Sequence, residues 1–204
     1  MYFGHHTNNS ALLAAAAFGL ACTMPQPASS KDIDLRTMSE ASGVYDVAFC
    51  SRPSPDPSGK PGHAFVAFSH KPPDGDRDFL AIGLTVTAGV TPAGAILSWF
   101  YWGSPVSGRL KEEQYTDIRQ NCLNVGVDKQ DYDRARALTD DPLQKLGVIQ
   151  APGIIFENYK LGAEDCMTFL TAVARKLEGK GLKVPQRGGT ELPMHFVQRF
   201  IDAN

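Results

Sequence analysis

Apolar and polar positions alternate through much of the first two-thirds of the chain. From Val44 to Cys50 the alternation puts Tyr45, Val47 and Phe49 on one face, which predicts a first strand. Ser51 to Gly62 then holds four prolines and two glycines in twelve residues and cannot continue a ladder, so it reads as a surface loop. His63–Ser69 predicts a second strand. Phe79–Val86 predicts a third, paired with the second as a hairpin across the turn-rich stretch between them. Asn121–Val127 is a further strand candidate. Thr87–Leu110 mixes glycine with Trp99, Phe100, Tyr101 and Trp102, and fits either core strand or the aromatic wall of a cleft.

The period changes in the last third. Asp128 is placed to cap a helix carrying Tyr132, Ala135 and Leu138 on one side. From Asp165 onward, Cys166, Phe169, Leu170, Val173, Ala174 and Leu177 follow helical spacing, with Asp165 as N-cap and Gly179 placed to stop the helix. A last helix is predicted over Met194–Ile201. Strands followed by helices give an α+β domain, with residues 31–204 as one unit.

Charge narrows the function classes. Twenty Lys and Arg against 22 Asp and Glu give a formal net charge of −2, which excludes an electrostatic nucleic-acid binder. A hydrophobic content of 43% with 21% charged residues is that of a globular chain with a real core. No apolar run reaches the roughly 18 to 20 residues that a spanning helix needs. Residues 1–30 carry no Lys, Arg, Asp or Glu, and the run from Ala11 to Ala21 followed by Cys22 reads as an export signal with a tether behind it. Gly19-Leu20-Ala21-Cys22 resembles a lipoprotein cleavage box, so the expectation is either acylation of Cys22 or simple cleavage nearby. Attachment to a membrane would then be by lipid only, and the mature protein would sit in the periplasm or cell envelope.

Export makes the cysteines informative. None of Cys22, Cys50, Cys122 and Cys166 forms a C-x-x-C pair, so the sequence gives no support to a structural zinc site. Cys50 ends one strand-like segment and Cys122 opens another. They are either bridged across neighbouring strands or two small buried side chains. Cys166 is the odd thiol. It falls in the first turn of its helix, where unpaired N–H groups and the helix dipole favour an anion. His63 opens a strand, and its alternation class with Phe65, Ala67 and Ser69 is expected on a face against which a helix packs. A histidine there can hold a thiolate and return its proton to a leaving group. Without such pairing, both are structural residues.

Gly62-His63-Ala64-Phe65-Val66-Ala67-Phe68 and the segment Tyr159 to Leu170, with Asp165-Cys166 at its centre, resemble the two halves of the circularly permuted NlpC/P60 papain-like families. In these the strand histidine precedes the helix-leading cysteine, as here. Within that group the nearest likeness is to periplasmic DUF4105-type domains, to which Tyr159-Lys160-Leu161 and the Val106–Leu110 segment are also similar. The resemblance implies an antiparallel sheet packed against the helix that carries the cysteine. It also implies hydrolysis or transfer at an amide or ester carbonyl, with Cys166 as nucleophile, His63 as base, the Cys166 N–H in the oxyanion hole and Tyr159 lining the cleft. A third polar residue is expected on the strand after the histidine. That strand offers Thr85, roughly opposite His63, with Asp78 and His70 less suited by alternation. The function this implies is cleavage of an amide bond in cell-wall peptides, with peptidoglycan or another peptide or acyl substrate as partner. The alternatives are a lipid or thioester acyl hydrolase or transferase, and a catalytically silent module that binds an envelope partner. No nucleotide, catalytic zinc or calcium motif occurs, so no cofactor is expected.

Overall fold

The computed structural model describes residues 29–54, 61–87, 89–90, 98, 103–113, 120–139 and 158–204. The leader with Cys22 and the run Trp99–Trp102 lie outside the described residues, as does half of the proline-rich loop. The strands are β1 (Ser30–Asp34), β2 (Val44–Arg52), β3 (His63–Lys71), β4 (Asp78–Val86), β5 (Val106–Glu112), β6 (Asn121–Val127) and the short β7 (Asn158–Tyr159). Helix α1 (Lys129–Arg136) follows β6. Helices α2 (Cys166–Arg175) and α3 (Pro193–Ala203) close the chain, with a 3-10 turn at Glu178–Lys180 between them. The architecture is α+β.

One sheet runs in the order β1-β6-β2-β3-β4-β5-β7, antiparallel throughout except for the parallel β1–β6 pair. Strand alternation sorts its side chains onto two faces. Val47 and Phe49 of β2, Ala64, Val66 and Phe68 of β3, Ile82 and Leu84 of β4, and Leu123, Val125 and Val127 of β6 form the main core. Phe169, Leu170 and Val173 of α2 and Phe196, Val197 and Phe200 of α3 pack onto it. Cys50, Phe65, Ala67 and Ala81 make a smaller buried cluster on the other face. The helices therefore cover the Ala64/Val66/Phe68 class of β3 and not the His63/Phe65/Ala67 class that the sequence suggested. Both classes are apolar enough to be covered, so alternation alone did not say which one is.

The helix ends follow local chemistry. Asp165 caps α2. Its carboxylate accepts from the Met167 N–H at 3.0 Å, and the Thr168 hydroxyl accepts from the Asp165 N–H at 3.1 Å, the reciprocal pattern of a capping box. Helix α2 ends before the expected Gly179. Lys176 is its C-cap, and the 3-10 turn that follows is stopped by Gly181, whose φ of +103° is the left-handed geometry glycine permits. Asp128 does stand at the N-cap of α1, but its carboxylate is drawn to the Thr37 backbone N–H at 2.9 Å and makes no cap bond. Strand β1 was not foreseen. Ser-Lys-Asp-Ile-Asp is short and charged, and it becomes a strand only by pairing with β6, as Ser30 with Cys122.

Candidate functional site

Cys166 is the first residue of α2 and is 1% exposed, set against β3 from the helix-covered side. The backbone N–H groups of Ala64 and Met167 donate to its sulfur. Burial nevertheless pushes the thiol up to about 12, and the negative charge of Asp165 acts in the same direction. The Ala64 hydrogen bond, the charge of Arg187 and the Met167 hydrogen bond offset this only in part. The dipole argument from sequence thus yields to desolvation, and the resting group is the neutral thiol.

The contact with Ala64 brings Cys166 to the residue immediately after His63. The imidazole leaves β3 on the opposite side, with Phe65, whose ring lies 6.4 Å from it between centroids. It is held there by a group the sequence reading did not find. His63 Nε2 lies 2.8 Å from Glu113 Oε1, and the Arg52 guanidinium donates to Glu113 Oε2 at 2.9 Å. Cross-strand register explains the assembly. Arg52 pairs with His63 between β2 and β3, while Glu113, just past β5, donates its N–H to the Ala81 carbonyl of β4 at 2.8 Å, putting its side chain on the Ala81 face. Between them lies Gly83. A Cβ there would stand 2.6 Å from His63 Nε2 and 3.1 Å from Glu113 Oε1, so the imidazole and carboxylate fill the space a side chain would need.

Burial works to raise the Glu113 carboxyl, but the hydrogen bond and charge of His63 and those of Arg52 outweigh it and hold it at about 2. An ionised carboxylate only accepts, so the proton of the shared hydrogen bond belongs to Nε2. In the neutral imidazole this leaves the lone pair on Nδ1, which takes no hydrogen bond among the described residues.

The expected third residue is therefore corrected. Thr85 is paired with Arg109 in the β4–β5 ladder, and the β3–β4 ladder starts only at Val66–Ile82, so it does not orient His63. Asp78 and His70 pair with each other at the far end of the hairpin. Glu113 takes the orienting position, and nothing local in Lys-Glu-Glu at 111–113 distinguishes it from a solvated charge run. Cys166 and His63 are neighbours through Ala64, but no hydrogen bond joins them among the described residues.

Tyr159, from β7, is 9% exposed, and its phenol is pushed upward, mainly by burial, with Cys166 and Asp165 acting in the same direction. Tyr159 therefore lies near Cys166 and Asp165 in the fold. Asp165, fully buried, is clasped by Arg187 through Nη1 at 2.9 Å and Nη2 at 2.6 Å, a two-pronged pair that fixes the start of α2. Cys50 and Cys122 stand directly opposite each other in β2 and β6, with Cα atoms 4.2 Å apart, and form the disulfide. Cys166 is the free cysteine among the described residues. No helix of the described residues is long and apolar enough to cross a membrane. No family model, curated protein or solved structure matches the chain.

Proposed function

We propose that the protein is an exported cysteine hydrolase of permuted papain-like type, acting on an amide bond, with cell-wall peptides as its substrate class. Cys166 is the nucleophile and His63 the base, while Glu113 and, through it, Arg52 hold the imidazole in its resting place on the other side of β3. What carries this reading is the imidazole itself: it is one residue from the strand N–H that touches the Cys166 sulfur, its Nε2 is fixed on a carboxylate, and its Nδ1 is left open. In the reaction the His63 side chain turns from the Glu113 side of β3 to the Cys166 side, where Nδ1 takes the thiol proton as sulfur adds to the carbonyl carbon. The resulting imidazolium returns the proton to the leaving amine, and water, deprotonated by the same nitrogen, releases the acyl group from sulfur. The backbone N–H groups at the start of α2 are the donors for the transient oxyanion. A leader at residues 1–30 and a cross-strand disulfide both suit an oxidising compartment.

A second reading, a module that binds an envelope partner without turnover, is favoured by the thiol held near 12 and by the lack of a Cys166–His63 hydrogen bond. Site-resolved iodoacetamide labelling of Cys166 against pH separates the two, run on the leaderless protein and on His63→Ala beside digestion of purified peptidoglycan. Hydrolysis expects peptide products that vanish in Cys166→Ala and labelling that slows in His63→Ala. Product formation unchanged in Cys166→Ala, or slow labelling identical in both proteins with no products, sinks the hydrolase.

A further inference from the structure

The solvent side of α2, turned away from the Cys166 thiol, borders a cavity of about 540 Å³ between the helix, the Gly162–Ala163 turn and the loop at Gly188–Gly189. Three of its lining residues are cations, Arg175, Lys176 and Arg187, and none is a carboxylate. Arg175 and Lys176 form no ion pair among the described residues. Arg187 spends both terminal nitrogens on Asp165, yet its Nε is buried with no hydrogen-bond partner. A buried donor left unmade is costly and marks a place where an acceptor is wanted. The hydroxyls of Thr168 and Thr171 already donate to the Ala163 and Met167 carbonyls, so the donors left to a ligand are the three cationic groups. With glycine and alanine forming much of the remaining wall, the space is kept open and the polarity one-sided.

We propose that this cavity is an oxyanion-binding site, taking the phosphate or carboxylate group of a small ligand between Arg175, Lys176 and Arg187. It does not depend on the hydrolase reading, because Arg175 and Lys176 lie on the solvent side of α2, and Arg187, whose charge also reaches the thiol, is kept in the test variant. The test is a titration of the ¹⁵N-labelled leaderless protein with sodium phosphate, and separately with sodium acetate, at ionic strength held constant with chloride. Saturable shifts of the Gly162, Gly188 and Gly189 amides are expected, with affinity about tenfold weaker in the Arg175→Ala/Lys176→Ala variant, as for loss of charge-assisted hydrogen bonds. Both changes are at the cavity rim on the solvent side of the helix, so the core is untouched, and the unperturbed remainder of the spectrum reports the fold. Saturation with phosphate alone assigns a phosphate ligand, and saturation with acetate admits a carboxylate. Shifts that rise linearly with both salts, or saturation unaltered in the double variant, overturn the proposal.

Discussion

Replacing Glu113 by glutamine keeps the shape of the side chain and removes the charge that faces both His63 and Arg52. The carboxyl's ordinary value of 4.5 falls to about 2 in the fold. At about 1.4 kcal/mol for each tenfold change in proton affinity, that is roughly 3 kcal/mol at neutral pH. One-tenth of the side chain remains open to water, and the screening this allows brings the expectation to about 2 kcal/mol. The sign follows from linkage. A carboxyl whose folded value is depressed stabilises fully above its unfolded value, and the contribution disappears as pH falls through the folded one. Urea unfolding of wild type and Glu113→Gln, stepped from neutral pH downward, therefore gives curves about 2 kcal/mol apart that converge between pH 4.5 and 2. Taking the difference cancels the other carboxylates that titrate in the same range. A gap that stays constant across the window, or no gap at neutral pH, refutes the account of Glu113 as an ionised partner of His63.

Gly83→Ala forces a methyl to within 2.6 Å of His63 Nε2, so the imidazole should leave Glu113 and stability should fall by about 1 to 3 kcal/mol in urea unfolding; an unchanged midpoint would mean the packing around Gly83 yields without loss. Removing the Cys50–Cys122 bridge, which closes 72 residues, should cost about 2 to 4 kcal/mol in chemical unfolding, and an unchanged midpoint would contradict its bracing role. Arg187→Ala leaves the carboxylate of Asp165 buried without its clasping guanidinium and should destabilise by about 3 to 5 kcal/mol, with Arg187→Lys recovering part of it; a loss under 1 kcal/mol would show that water takes over the pairing.

Most of the sheet was legible because its strands carry their own pattern. Asn121–Val127 has the predicted limits, and β2, β3 and β4 extend their predicted runs by one or two residues. The capping of α2 was equally local, since Asp165 and Thr168 stand three apart on the chain. What escaped depends on distant pairing. Strand β1 exists through a partner some ninety residues away, and Glu113 reaches His63 only after β3, β4 and β5 have aligned. The face of His63 was misjudged for a related reason: period two separates two sets of side chains but carries no information about which set a later helix will cover. The thiol's resting state was misjudged because a helix end favours the anion while burial opposes it, and the depth of burial is a property of the finished fold.

The bridge between Cys50 and Cys122 encloses β3, β4 and β5, and with them both His63 and Glu113, whereas Cys166 lies beyond it. A single backbone cut anywhere between the two cysteines would leave two chains still joined by a covalent bond. His63 and Glu113 would then belong to strands whose pairing outlasts the break. In a compartment populated by proteases, the molecule would register such a cut as a second band on a reducing gel rather than as a lost domain. Reduction of the same molecule would release the strands that hold the imidazole.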